Sequence, residues 1–129
     1  KFIKIQKSNH SFTENLEMKY FQNFSTNKSI LNHLMQFSLK TNEEEILCST
    51  LLLRAKNRII LLSSARNKNI ETKGSFAFLI FKIIENFANE QYIFDFEGSN
   101  IKGIQEFNNS FNAEMRHYCL FKSKLLQSF

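Results

Sequence analysis

The sequence predicts an α/β fold, in which helices and strands follow the order α-β-β-α-β-α-β from residue 26 and form a sandwich around a mixed central sheet. Two apolar runs, 46–53 and 59–65, flank a short polar turn, a periodic apolar segment spans 74–89, and an aromatic segment covers 92–97. A hairpin makes its strands antiparallel, whereas a helix that crosses between two strands makes them parallel. The sheet should therefore contain both kinds of pairing.

The first element is predicted as a helix that begins at Ser25 or Thr26, either of which can cap it, and ends near Lys40. Its apolar residues share one side, namely Ile30, Leu31, Leu34, Met35 and Phe37. Polar residues occupy the other side, so His33 is predicted to be solvated. Residues 1–24 show no comparable pattern.

The next two elements form a predicted antiparallel hairpin. The runs Ile46 to Leu53 and Ile59 to Ala65 are almost continuously apolar, as in central strands that are buried on both faces. The turn RAKNR between them contains Asn57, which tolerates a left-handed backbone conformation.

Residues Gly74 to Asn89 are predicted as a helix, although the run FAFLIF alone suits a strand or a helix. The polar residues decide, because their spacing gives a narrow wet stripe on an otherwise buried helix. These residues are Ser75, Lys82, Glu85, Asn86 and Asn89.

Three short elements complete the chain: a strand from Tyr92 to Glu97, a helix from Ile101 to about Ser110, and a strand from Glu114 to Leu126. Ser99 or Asn100 is the expected N-cap of that helix. We expect the strand 92–97 to be an interior strand, parallel to the strand 59–65, because the helix 74–89 crosses between them in a right-handed unit.

The composition limits the classes of function. The longest apolar run, Phe76 to Phe81, is far shorter than the roughly 20 residues of a membrane span, which predicts a soluble chain. Cys48 and Cys119 lie in apolar segments without a CxxC pair, and are interpreted as buried free thiols in a reducing cytoplasm. The three histidines lack metal-ligand spacing, which predicts no metal site.

The net charge of +5 suits a phosphorylated ligand. Nucleic acid is a weaker interpretation of the same charge, because most of the 15 Phe residues fall at apolar positions of periodic segments, where core packing explains them.

The sequence FDFEGS, residues 94–99, ends its strand with alternating aromatic and acidic residues. This alternation predicts that the carboxylates of Asp95 and Glu97 leave one face of the strand where it stops. Alternatively, Asp95 or Glu97 caps the next helix or pairs with a cation.

The stretch from Glu45 to Tyr118 resembles the cofactor-binding half of the GNAT acyltransferase superfamily. Within it, FDFEGSNIKGIQEFNNSFNA, residues 94–113, is similar to a segment of bacterial GNAT-like proteins related to the Fem-type aminoacyl transferases. The resemblance implies that residues 1–129 form a single GNAT-like domain or half, with a second such half or a homodimer as its partner. It also implies transfer of an acetyl or aminoacyl group from a thioester such as acetyl-CoA, or from an activated aminoacyl donor, to a small-molecule amine or peptide.

The resemblance further implies a site for the pyrophosphate of acyl-CoA in SARNKNIETKGSFA, residues 64–77. Its members are Arg66, Lys73, Gly74, Ser75, Phe76 and Ala77. A helix start presents N–H donors to an anion, and glycine permits close approach. The GNAT loop has two spaced small residues where this chain has only Gly74, so an ordinary loop before a helix is the alternative.

For the chemistry, the resemblance implies a wet cleft between splayed strands, where a carboxylate accepts a proton from the attacking amine or holds an ammonium substrate, and Glu97 is the preferred candidate. It also places Phe107, or Asn108 if the register slips by one, where many GNAT enzymes carry a tyrosine that protonates the departing thiolate, and Phe cannot donate a proton. Tyr118 is the candidate substitute, and a partly buried strand tyrosine is the alternative. Two functions follow: an acyltransferase, or a non-catalytic GNAT-fold module that binds or packs within a larger two-lobed protein.

Overall fold

The computed structural model describes residues 26–70, 72–98, 101–117 and 119. The chain divides into two compact units, residues Lys1–Glu97 and Gly98–Phe129. In the first unit the elements are α1 (Lys28–Leu31), β1 (Leu34–Lys40), β2 (Ile46–Ala55), β3 (Arg58–Arg66), α2 (Ser75–Asn86) and β4 (Ile93–Asp95). The second unit contains α3 (Lys102–Asn109).

The first unit is built on a four-stranded mixed sheet in the order β1-β2-β3-β4, which confirms the predicted α/β class. β1, β2 and β3 are antiparallel neighbours, and β3 and β4 are parallel. The predicted hairpin and the parallel pair are therefore correct. At the hairpin turn Lys56, rather than Asn57, has the positive φ, of 49°. β4 is the last strand of the described sheet, and most of the segment 114–126 that would flank it lies outside the described residues.

The prediction of one long helix from residue 26 to Lys40 is wrong. α1 is a single turn whose N-cap is Asn27, since the Asn27 Oδ1 accepts a hydrogen bond from the Ser29 N–H at 3.0 Å. The following residues form β1, which pairs with β2 from Leu34 to Lys40. From Met35 the sequence MQFSLK alternates apolar and polar side chains, as a strand with one buried face does. The backbone partners supplied by the neighbouring strand β2 favour the strand over the helix. His33 is exposed, as predicted.

The core lies between α2 and the sheet, because α2 packs on β1 and β2. Its buried residues are Phe76, Leu79, Ile80 and Ile83 from α2, with Cys48, Leu52 and Ile59 from the strands. A smaller cluster consists of Leu51 and Ala65, with Leu34 and Leu62 packed against them. Successive side chains of a strand point to opposite faces, so Leu51 and Leu52 serve different clusters.

The predicted central helix is present, but its exposed side is wider and less polar than the narrow wet stripe expected. Phe78 and Phe81 are each about half exposed, at 50% and 53%. The Lys82 ammonium lies 5.9 Å from the centroid of each of these rings. The run FAFLIF places apolar residues on every side of α2, but only one side of the helix faces the sheet. Phe78 and Phe81 therefore lie on the surface.

In the second unit, α3 confirms the predicted helix between Ile101 and Ser110. Its N-cap is the extended Ile101, which corrects the expectation of Ser99 or Asn100, both of which lie outside the described residues. Residues 114–117 and 119 have no strand assigned, and the rest of the predicted final strand lies outside the described residues.

The two cysteines are free, as predicted, but only Cys48 is buried, whereas Cys119 is exposed. Within the described parts of the chain, no helix combines the length and the apolar character needed to cross a bilayer.

Candidate functional site

α2 begins at a glycine in a left-handed conformation. Gly74 is the N-cap, with a φ of 79°, and a Cβ atom built there would meet no other atom within 4 Å. The Ser75 hydroxyl donates a hydrogen bond to the Thr72 carbonyl oxygen at 3.0 Å, which closes the turn before the helix. The helix start therefore has an open approach and the partial positive charge of aligned peptide dipoles.

Cys48 and Arg66 lie below this helix start, on neighbouring strands. They are cross-strand partners on β2 and β3. Burial raises the pKa of the Cys48 thiol, while the Ser75 hydroxyl, the Arg66 guanidinium and a hydrogen bond with the Leu39 backbone oppose that rise. The thiol is thus close to the first residue of α2, and it stays neutral at physiological pH.

Arg66 also contacts the helix itself. Its guanidinium carbon lies 4.9 Å from the centroid of the Phe76 ring, in the geometry of a cation–π contact. The structure therefore brings Arg66, Ser75 and Phe76 together beside Gly74, although Arg66 is distant from them in sequence. Lys73 is exposed and directly precedes Gly74, and Ala77 is half-buried in the first turn of α2.

Asn67 anchors the loop between β3 and α2, a role that the sequence analysis missed. Its backbone N–H donates to the Leu47 carbonyl at 2.8 Å, and its side-chain amide donates to the Ile46 carbonyl at 3.1 Å. The Asn67 Oδ1 accepts from the Asn69 N–H at 3.1 Å. An Asn that follows a strand and starts a loop is a recognised turn signal, so this residue was accessible from sequence.

The pairing of β3 with β4 ends before β3 does. Their parallel pairing covers three residue pairs and stops at Ile60 and Asp95, whereas β3 continues to Arg66. Leu62 is skipped in the register between β2 and β3, where Leu51 pairs with Ser63 and Leu52 pairs with Leu61. A residue inserted in this way bends its strand and increases the local twist. Beyond Ile60, β3 has no further partner in β4, and it continues to Arg66 with only β2 paired to it among the described strands.

Asp95 lies at the point where the strands separate and makes two contacts. Its Oδ2 accepts a hydrogen bond from Arg58 Nη1 at 2.6 Å, in an ion pair. Its Oδ1 accepts from the Glu97 backbone N–H at 2.9 Å. The alternative in which Asp95 pairs with a cation is therefore what the structure contains.

Glu97 is exposed, and its backbone is left-handed, with a φ of 64°. β4 ends at Asp95, so Glu97 lies beyond the strand and the expectation that the two carboxylates leave one strand face is wrong. Within the described residues, no side chain pairs with the Glu97 carboxylate. Tyr118 lies outside the described residues, so its proposed role stays a prediction.

Phe107 is in α3, in the second unit, and its ring centroid lies 5.2 Å from the ring centroid of Phe111. Among the described residues there is no cluster of three His, Cys, Asp or Glu side chains that could hold a metal ion.

Several solved structures have a similar fold. A possible acetyltransferase from Clostridium difficile 630 superposes with a TM-score of 0.63 at 11% identity, over 92% of this chain and 82% of that one. An aminoglycoside antibiotic 6'-N-acetyltransferase from Acinetobacter baumannii has a TM-score of 0.51 at 12% identity, over 86% and 81%. The ribosomal-protein-S18-alanine N-acetyltransferase from Escherichia coli has a TM-score of 0.54 at 13% identity, over 73% and 58%.

No family model and no curated protein sequence matches the chain significantly. Identities of 10–13% among the structural neighbours show a shared fold and leave the chemistry to the residues of this chain. The chain therefore has the α/β fold that the resemblance to GNAT acyltransferases predicted.

Proposed function

We propose that this protein is a GNAT-like acyltransferase that moves an acyl group from a coenzyme A thioester to an amine. The observation that supports this most directly is an open, glycine-initiated helix start after a strand, β3, whose pairing with β4 stops at Ile60. The first feature suits a pyrophosphate, and the second suits the arm that leads from it to the thioester. Both belong to one strand–helix–strand unit, from Arg58 to Asp95.

The donor would be held at its pyrophosphate by the N–H groups of the first turn of α2. The absence of a side chain at Gly74 lets the phosphates approach, and the exposed Lys73 adds a positive charge. Arg66, held against the Phe76 ring, places a second cation at the same end of the helix. Ser75 and Ala77 complete this first turn with small side chains, which leave room for a ligand.

The rest of the donor would follow the edge of β3 from which β4 has departed. Beyond Ile60 that edge carries backbone N–H and C=O groups, which can pair with the amides of the donor's arm as a neighbouring strand would. The thioester would then lie near the separation point, next to Asp95 and Glu97.

The chemistry needs one bond to form and one to break. The amine nitrogen attacks the thioester carbon, the bond from that carbon to sulfur breaks, and the acyl group ends on nitrogen. The amine loses a proton to a base, for which we propose Glu97, and the departing thiolate gains one, for which Tyr118 is the proposed donor. Asp95 is a less suitable base, because its two oxygens already accept hydrogen bonds.

The second candidate function is a GNAT-fold module without catalysis, within a larger two-lobed protein. The specific observation that favours it is Phe107, which cannot donate a proton. We propose a small-molecule amine or a peptide as the acceptor, and a second GNAT-like half or a second copy of the chain as the partner. A relation to the Fem-type aminoacyl transferases is part of the same proposal. We also propose a cytoplasmic location, since a buried free thiol at Cys48 suits a reducing compartment.

Donor binding is tested by thermal unfolding with acetyl-CoA. At about one hundred times its dissociation constant, a ligand stabilises the folded state by about 2.7 kcal/mol. The informative variants are Gly74→Asn and Gly74→Asp, because both residues tolerate a positive φ and they differ mainly in charge. An Asp at a helix start also stabilises the helix, so loss of binding in that variant is not a folding defect.

We expect Gly74→Asp to abolish the stabilisation by acetyl-CoA, whereas Gly74→Asn keeps part of it. A wild-type protein that shows no shift at millimolar acetyl-CoA would contradict the proposed function. Binding without acyl transfer to any of a panel of amines would favour the non-catalytic module.

A further inference from the structure

The Asp95 carboxylate makes one contact with β3 and a second with the turn that follows β4. Through Oδ2 it holds Arg58, which lies at the first position of β3 and two residues before the last paired position. Through Oδ1 it holds the backbone N–H of Glu97, two residues further along its own chain. A single carboxylate therefore belongs both to the last pair of the parallel ladder and to the turn that follows it.

The turn explains why the ladder stops at Asp95. An Asp side chain that accepts the N–H two residues ahead replaces a backbone partner and favours a turn over a continued strand. Glu97 adopts a left-handed conformation in this turn, with a φ of 64°, which an extended strand does not permit. The chain consequently leaves β3 after Ile60, although β3 runs on to Arg66.

We propose that Asp95 is a positioning residue that sets the opening between β3 and β4 through its contact with the Glu97 N–H. The inference rests on the proposed function, because the opening is where the acyl donor would lie. The ion pair with Arg58 is partly exposed to solvent, at 40% and 28% for the Arg58 and Asp95 side chains, so it contributes little to the turn. Both carboxylate oxygens are occupied by protein donors, so Asp95 acts on the donor through the backbone and not by direct contact.

Three variants separate the turn from the ion pair. Asp95→Asn retains an oxygen for the Glu97 N–H and loses the charge that pairs with Arg58, since Asn forms the same kind of turn. Arg58→Ala removes the ion pair from the other side and leaves the turn. Asp95→Ala removes both contacts. Each variant is used at a temperature well below its own midpoint of thermal unfolding, so that binding is measured on folded protein.

The probe is coenzyme A itself, with its dissociation constant measured by calorimetry. We expect Asp95→Ala to weaken binding at least about tenfold, and Asp95→Asn and Arg58→Ala to stay within about threefold of wild type. Hydrogen exchange of the Glu97 amide provides a readout of the turn that is independent of the ligand, and it should accelerate in Asp95→Ala alone.

The outcomes are distinguishable. If wild type binds coenzyme A and Asp95→Ala binds it equally well, or if Asp95→Asn loses as much affinity as Asp95→Ala, the positioning role is refuted and the proposed function stands. If wild type does not bind coenzyme A, the proposed function fails and the positioning role fails with it.

Discussion

Replacing Glu97 by Gln tests the proposed base while leaving the fold unchanged. Gln matches the size of Glu but does not accept a proton at neutral pH. The Glu97 side chain is exposed, and the hydrogen bond between Glu97 and Asp95 uses the Glu97 backbone N–H, which the substitution retains. The free energy of unfolding should therefore change little, whereas the rate of acyl transfer should fall.

The size of each effect follows from the geometry. Loss of a general base lowers kcat/KM by about a hundredfold, which corresponds to about 2.7 kcal/mol. A second variant, Glu97→Gly, uses the φ of 64°. The left-handed conformation costs a non-glycine residue about 1–2 kcal/mol, and glycine avoids this cost in the folded state. Glycine also makes the unfolded chain more flexible, which lowers the stability of the variant by about 0.4–1 kcal/mol. The net gain in stability should be roughly 0.5–1 kcal/mol, or about 2–4 °C in Tm.

Initial rates with acetyl-CoA and a panel of amines, together with thermal unfolding, are measured for wild type and both variants. The control is Glu90→Gln, which neutralises another exposed carboxylate of the first unit. We expect both Glu97 variants to lose activity equally, with Tm unchanged for Gln and raised for Gly. Activity that survives in Glu97→Gln, or a Tm that falls by several degrees, would remove Glu97 from the mechanism.

Three further predictions concern the core of the first unit. Thr50→Val should raise stability by about 1 kcal/mol in urea unfolding, because the buried Thr50 Oγ1 has no hydrogen-bond partner among the described residues, whereas Thr50→Ser should lower it. Ile80→Ala should cost about 2–5 kcal/mol and Phe81→Ala less than about 1 kcal/mol, since Ile80 is fully buried and Phe81 is half exposed; equal losses would contradict the orientation of α2. Burial raises the pKa of Cys48 above its ordinary value of 9.0, so the unfolded chain releases this proton first and stability should decline above about pH 9. Urea unfolding of Cys48→Ala between pH 7 and 10 should show a weaker decline than wild type.

The elements that the sequence predicted correctly are those whose signals are local. The hairpin followed from two continuous apolar runs around a polar turn, and α2 followed from the spacing of its polar residues. The error at β1 has a different origin. Its residues suit a helix face nearly as well as an alternating strand, and the choice is made by pairing with β2, whose residues lie 6 to 19 positions further along the chain.

In the candidate site, too, only the groupings of residues that are adjacent in sequence were predictable. Residues 73–77 are adjacent in sequence and form the helix start, so their grouping was predictable. The contact of Arg66 with Phe76 depends on how the intervening loop folds, and Asn67 controls that loop through backbone groups of β2. The ion pair of Arg58 with Asp95 joins residues 37 positions apart and appears only when β3 and β4 are aligned.

The residues proposed for donor binding and the residue that decides between the two candidate functions belong to different units. The residues proposed for donor binding, and Glu97, belong to the first unit, whereas Phe107 and the position of Tyr118 belong to the second. A chain that keeps the first set intact and has no proton donor in the second would bind coenzyme A without releasing it efficiently as a thiol. Acyl transfer should then depend on the acidity of the leaving thiol, and a donor whose thiolate needs no protonation would react much faster than acetyl-CoA. A comparison of acetyl-CoA with an acetyl ester of a more acidic thiol therefore distinguishes a site that lacks its acid from one that has it, because an intact acid makes the two rates similar.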